Sequence, residues 1–321
     1  MTKRASLLPI DTFRLETLQM LKSVRSFQEA WPLYSKVVID LLGDKPEAED
    51  VFRLGDNLSE IFAAGSQPGR GQSIVSGGGN SWEALVAWYL NLICFGTDVL
   101  AVKRRKSNTP QVISDALAVT INNHATSTES DIVVYSVPYS KIGKLTIEDI
   151  NLIVKNNTGM SSVALVQCKT NWADNAQIPM LWDLIYRSLP GANLSNATVG
   201  TEGLRPSSFK NGSVKYAFMT VPTGNSQYKS SSTSVNRVSG LSGGNFWGRP
   251  TSKGVAFGFS EFLNRNFGSH FDGSIQNHIA RQLELHPNLL HTFLTLDFQP
   301  DAARAKPVPP QEQIAPKLFD L

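Results

Sequence analysis

Apolar residues recur at helical spacing through the first sixty or so positions of the chain. Leu15, Leu18, Met20, Leu21 and Val24 mark one stretch. Val37, Val38, Ile39, Leu41 and Leu42 form a second patch that Gly43 ends, and Val51, Leu54, Leu58, Ile61 and Phe62 share one face of a third. A period near 3.6 predicts helix, so residues 10–64 read as helical and residues 1–76 as an N-terminal helical subdomain, used for packing or dimerisation. A loop rich in glycine and serine follows over 65–79. Asn80 or Ser81 is expected to cap a helix from Trp82 to about Phe95, with Gly96 as its stop.

The pattern then changes to short β-branched runs separated by helical stretches. Val99, Leu100, Ala101 and Val102 predict a strand that ends in Lys103-Arg104-Arg105-Lys106. A helix is expected from Pro110 to about Ile121, then a polar loop over 122–130. A second strand follows Asp131, a connecting piece covers 147–154, and a third strand runs from Val163 to Lys169. An amphipathic helix is expected over 174–189, a further strand over 214–221, and a long loop rich in Ser, Gly and Asn over 223–253. Helices are expected over 259–267 and 274–285, ahead of a Pro-rich extended tail. Strands alternating with helices predict an α/β fold. Residues 77–222 read as its core and residues 223–321 as a C-terminal region belonging to the same domain.

The run Val163-Ala164-Leu165-Val166-Gln167-Cys168-Lys169 carries the most chemistry. Four apolar residues lead into a strand end where alternation puts Gln167 and Lys169 on one face and Cys168 on the other. Packing alone gives a buried strand no use for a lysine there. Asp131 stands at the start of the other β-branched run, Ile132-Val133-Val134-Tyr135. If the two strands are neighbours, Asp131, Gln167 and Lys169 meet. An acid and an amide oxygen are hard donors suited to Mg²⁺, and a lysine is a point charge for a phosphate or an attacking water. That combination suits metal-assisted phosphodiester hydrolysis. Asp149, in Thr146-Ile147-Glu148-Asp149-Ile150, is a rival for the acid, but Asp131 adjoins the longer strand.

The arrangement Asp131…Gln167-x-Lys169 resembles the signature of the PD-(D/E)xK nuclease superfamily, in the type II restriction endonuclease variant where Gln replaces the second acid. Glu83, in Asn80-Ser81-Trp82-Glu83-Ala84, matches the glutamate that the family often carries on a helix before the acidic strand. The resemblance covers roughly residues 79–190. No Pro precedes Asp131, and Gln167 leaves the site one negative charge short, which gives Glu83 more to do. It implies a restriction-endonuclease-like core with a mixed central sheet flanked by helices. It further implies Mg²⁺ held by Asp131, the Gln167 side-chain oxygen, the Cys168 carbonyl and Glu83, with Lys169 on the water. A homodimer cutting a palindrome in double-stranded DNA, and a companion DNA methyltransferase that protects the host, belong to the same expectation.

Composition narrows the classes without choosing among them. The 321 residues are 41% hydrophobic with a net charge of +3. That mild excess permits nucleic-acid binding without establishing it. No window reaches the ~20 apolar residues of a membrane span, and the first residues do not read as a signal peptide. Cys94 and Cys168 lie in apolar runs and read as buried thiols of a reducing compartment, the bacterial cytoplasm.

Several side chains are candidates for DNA contact. Lys103, Arg104 and Arg105 are read either as a solvated run or as a grip on backbone phosphates. Asn171 follows the catalytic strand directly. Lys229, Asn236, Arg237, Arg249 and Lys253 stand among small residues in 223–253, and Asn and Arg are side chains that read base edges. Phe246-Trp247 is read either as a wedge between base steps or as core. Three other functions fit the same chain: a repair or recombination nuclease that reads structure, a non-enzymatic DNA-binding protein, and a sugar- or protein-binding α/β module.

Overall fold

The computed structural model describes residues 7–65, 78–127, 130–138, 144–170, 197–221, 228–248 and 259–296. The expected helix over 174–189, Asn171, Arg249, Lys253 and the Pro-rich tail lie outside them. The chain folds around a mixed five-stranded sheet of β1 (Val99–Lys103), β4 (Ile132–Ser136), β5 (Val163–Lys169), β7 (Lys215–Thr220) and β8 (Phe246–Gly248), in the order β1-β4-β5-β7-β8. The β1–β4 and β4–β5 pairs are antiparallel, and the β5–β7 and β7–β8 pairs are parallel. Helices flank both faces, which makes the fold α/β.

One face carries the larger core. Helix α5 (Gly78–Ile93) crosses it, and every α5 residue from Trp82 to Ile93 is buried except Glu83. A helix that is apolar all round must be covered all round. The sheet residues Val99, Ala101, Val134 and Val166 cover one side. Helices α1 (Pro9–Leu21), α2 (Arg25–Leu42), α3 (Ala48–Arg53) and α4 (Leu58–Ala64) share the same apolar cluster. So do the C-terminal helices α9 (Phe259–Phe267), α10 (Ile275–Leu285) and α11 (Leu289–Thr295). One cluster therefore runs from Leu15 to Leu296. Its tryptophans keep their N–H groups paired: Trp88 donates to Phe293 O and Trp31 to Leu294 O, both at 2.9 Å.

The other face is covered in two parts. Leu100, Val102, Val133, Tyr135 and Leu165 pack under α6 (Gln111–Ala116) and α7 (Ile147–Asn156). Phe218 and Phe246 pack under α8 (Thr233–Ser242) through Val235, Val238 and Leu241. A small second sheet joins β2 (Ala118–Ile121), β3 (His124–Ser127) and β6 (Ala197–Val199).

Four expectations change here. The helix expected from Pro110 to Ile121 stops at Ala116, and the chain turns into β2. The loop over 122–130 holds β3, joined to β2 by a two-residue turn. Asn122 and Asn123 both have positive φ, at 48° and 64°, the backbone a primed hairpin turn requires and one Asn tolerates. The stretch 223–253 holds α8 and β8, because three apolar residues on one side of a polar helix suffice to dock it. Asn80 and Ser81 lie inside the first turn of α5; they do not cap it. Their side chains are used elsewhere: Ser81 Oγ is 3.0 Å from Tyr34 Oη, and Asn80 Oδ1 accepts from Lys103. Phe246 and Trp247 are core, with Trp247 stacked on Trp82 at 5.8 Å. No helix among the described residues is long and apolar enough to cross a membrane.

Strand β1 is an edge, and side chains seal it. Asn91 of α5 donates to Ala101 O at 2.5 Å and accepts from Ala101 N at 3.2 Å. Arg14 of α1 donates to Thr97 O at 2.9 Å and Val99 O at 2.7 Å. Arg14 is ion-paired with Asp11, which also accepts from Gly96 N at 3.0 Å. Gly96 has φ +80°, a conformation that suits glycine. Each unsatisfied buried backbone group costs about 1–3 kcal/mol. Asn91→Leu, which strands two of them, is expected to cost about 2–4 kcal/mol, measured as a lower urea midpoint with an unchanged m-value.

Candidate functional site

The antiparallel register builds the site. Ile132 faces Val166, so Asp131, one step before β4, falls opposite Gln167. Asp131 Oδ2 accepts from Gln167 Nε2 at 2.8 Å and from Cys168 N at 2.7 Å. Alternation along β5 sends Val166 and Cys168 into the core under α5, and Gln167 and Lys169 to the opposite face. On that face they lie between the cluster under α6 and α7 and the cluster under α8, next to Phe218 and Thr220.

Lys169 is the unusual member. Its side chain is buried, at 8% exposure. Among the described residues no hydrogen bond or ion pair to its ammonium is present. Lysines are almost never this buried unless paired. Its charge acts on Asp131 through space.

Glu83 approaches from the α5 side of the sheet. It is close enough to act on Asp131 electrostatically, and it is ion-paired with Lys103 Nζ at 2.7 Å. Lys103 Nζ is also 3.1 Å from Asn80 Oδ1. The basic run at 103–106 is thus divided. Lys103 is turned inward because Val99, Ala101 and Lys103 share the face that α5 covers. Arg104 is half-buried and donates to Ser130 Oγ at 3.1 Å, and Arg105 and Lys106 are exposed. The Lys103–Glu83 pair was missed by sequence reasoning, although the parity of β1 was a usable signal for it. Lys229, Asn236 and Arg237 are exposed, the last two on α8. Asp149 is spent as a cap: its carboxylate accepts from Thr146 N at 2.9 Å in a capping box at the start of α7.

Burial first, then the Glu83 carboxylate, push Asp131 up from 3.8 to about 6. The Cys168 amide, Lys169 and Lys103 pull it part of the way back. Burial also pushes the Cys168 thiol well up, helped by Asp131 and Glu83. The thiol is therefore a protonated core group and not a ligand. Two carboxylates that act on each other electrostatically favour a cation. Among the described residues no three of His, Cys, Asp and Glu gather to enclose a metal. Mg²⁺ needs only one or two carboxylates, with water and phosphate completing its shell, and Asp131 and Glu83 fit that requirement. The Gln167 amide presents Nε2 to Asp131, so its oxygen joins Asp131 as a ligand only if the amide turns over.

The raised value carries a definite sign. The folded chain holds the Asp131 proton more tightly than the unfolded chain does. That contribution is complete below about pH 4 and is lost as pH rises through about 6. Asp131→Asn keeps an acceptor for Cys168 N and cannot ionise. It is expected to exceed the native chain in stability at pH 8 by about 1–2 kcal/mol, discounted for partial access to water, and to match it at pH 4. Urea curves at the two values check this, and a weaker Asn variant at pH 8 means the anion is net stabilising. No protein-family model, no curated protein and no solved structure matches this chain.

Proposed function

We propose that the chain is a Mg²⁺-dependent endonuclease of the type II restriction kind, hydrolysing phosphodiester bonds at a specific sequence in double-stranded DNA. One observation carries the reading: Asp131, Gln167 and Lys169 share one face at one end of adjacent strands, and the buried Lys169 ammonium has no partner among the described residues. The mixed sheet, antiparallel at β4–β5 and parallel at β5–β7, supports a restriction-endonuclease-like core.

Asp131, Glu83, the Gln167 side-chain oxygen and the Cys168 carbonyl would hold Mg²⁺, which when bound neutralises charge on the scissile phosphate and the departing oxygen. Lys169 positions the attacking water and offers a positive charge to the phosphate. The Cys168 amide fixes the Asp131 carboxylate, and the Gln167 amide would turn over to present its oxygen. Lys103 holds Glu83 in place on α5. Exposed Asn236 and Arg237 on α8, with Lys229 just before it, lie over the same face of the sheet and supply groups suited to base edges and phosphates. A homodimer, with each subunit cutting one strand and a companion methyltransferase protecting the host site, completes the proposal.

Incubating the chain with plasmid and phage DNA, with Mg²⁺ or with EDTA, tests it. Discrete bands are expected with Mg²⁺ only. Lys169→Ala is expected to cut at least about 100-fold more slowly while shifting DNA in a gel as the native chain does. Undiminished cutting by Lys169→Ala sinks the site assignment. Cutting confined to branched or broken DNA replaces sequence recognition with structure recognition, and salt-sensitive binding without any cutting makes the chain a DNA-binding protein.

A further inference from the structure

The opposite end of the sheet holds a second group of reactive side chains. Asp98 directly precedes β1, Ser162 directly precedes β5, and His270 ends the short turn after α9. His270 Nδ1 is 2.7 Å from Asp98 Oδ1, and its Nε2 is 3.1 Å from Ser162 Oγ. An ionised carboxylate only accepts, so Asp98 keeps the proton on Nδ1 and leaves Nε2 free to accept from the Ser162 hydroxyl. The result is a nucleophile within reach of a base that is itself oriented by an acid. The His270 side chain is buried and Ser162 is half-buried. Seven residues of β5, at about 3.3 Å each, put this group roughly 20 Å from the Asp131 end, so it stands or falls independently of the nuclease reading.

Two further groups point to a ligand at Ser162. The β5–β7 register pairs Ala164 with Lys215, and continued back two residues it sets Ser213 beside Ser162 on the same side. Ser213 has extended backbone, and its hydroxyl is buried with no hydrogen-bond partner among the described residues. Lys210 is the second group. Its backbone N donates to Ser161 O at 3.0 Å, and its ammonium is 3.3 Å from Ser269 Oγ, beside His270. A histidine that merely tied two loops together would need neither a donor without a partner nor a cation next to it. Both are what a developing oxyanion requires.

We propose that Ser162, His270 and Asp98 form a second, hydrolytic site that cleaves activated esters. Ser162 Oγ bonds to the acyl carbon as its proton passes to His270 Nε2, and the carbon's bond to the leaving oxygen breaks as that oxygen takes the proton. Water, deprotonated by His270, then attacks the acyl-Ser162 ester and the serine recovers its proton. The balance is ester plus water to acid plus alcohol. Ser213 and Lys210 supply the donors for the negative oxygen.

A fluorophosphonate probe tests the site, because Ser162 Oγ displaces fluoride from phosphorus by the same first step. The full chain is treated with the probe and its peptides are weighed. A single label on Ser162 is expected, absent in Ser162→Ala. His270→Gln keeps a donor for Asp98 but supplies no base, and labelling is expected to slow at least about 100-fold in variants whose circular dichroism is native. Should His270→Gln fail to fold, Asp98→Asn, on a side chain 32% exposed, carries the same comparison. No label on Ser162, or an unchanged rate in a folded His270 or Asp98 variant, overturns the proposal and leaves the cluster a loop tie.

Discussion

A sheet edge that cannot be left open governs how this chain is assembled. The outer side of β1 presents the carbonyls of Thr97, Val99 and Ala101 and the amide of Ala101 with no strand to receive them. Asn91 and Arg14 receive them instead. An arginine buried this deeply is costly: burial lowers its pKa to about 10, still far enough above neutrality for it to stay charged. It is tolerated because Asp11 faces it and two carbonyls accept from its Nη2. The consequence is positional. Arg14 fixes α1 and Asn91 fixes α5 against the same strand, and α5 carries Glu83 to the far end of that strand.

At that end the packing changes character. Two acids and two lysines are gathered where water has limited access, and only Glu83 and Lys103 form a close ion pair. Asp131 is held by neutral donors, and the Lys169 ammonium has no hydrogen bond or ion pair among the described residues. A core that needed only to fold would place apolar residues at 167 and 169, as it does at 163 to 166. Poor accommodation of charge in a sheet otherwise filled with apolar side chains is the physical ground on which this end is taken as a candidate site.

The parts legible in the sequence are those in which one local pattern decides the outcome. Strand β5 is a continuous apolar run, and its bounds, Val163 to Lys169, agree with the expectation. The N-terminal helices follow from spacing, as do α9 and α10. Strand β4 starts where Asp131 was read as its leading acid, and parity alone placed Gln167 and Lys169 together. What stayed hidden depends on tertiary partners. Helix α8 is polar or glycine apart from Val235, Val238 and Leu241, and it exists because Phe218 and Phe246 wait beneath it. The β2–β3 hairpin turns on Asn122-Asn123 without the glycine that usually announces such a turn. Lys103 is open to two readings within a basic run, solvated or gripping phosphate, because its acid lies twenty positions upstream on a helix. Asp98, Ser162 and His270 are spread over 172 positions with no spacing to betray them.

The alternation of β5 also has a consequence for how the chain can diverge. The strand is committed on both sides: Ala164, Val166 and Cys168 fill the space under α5, while Gln167 and Lys169 face the opposite way. Losing or gaining one residue between 163 and 169 would exchange those sides, burying a lysine and an amide among apolar groups and sending core residues to the reactive end. Divergence within this segment is therefore confined to replacement, residue for residue. Changes in length must accumulate in the connections, where the chain can be lengthened without turning the strand over.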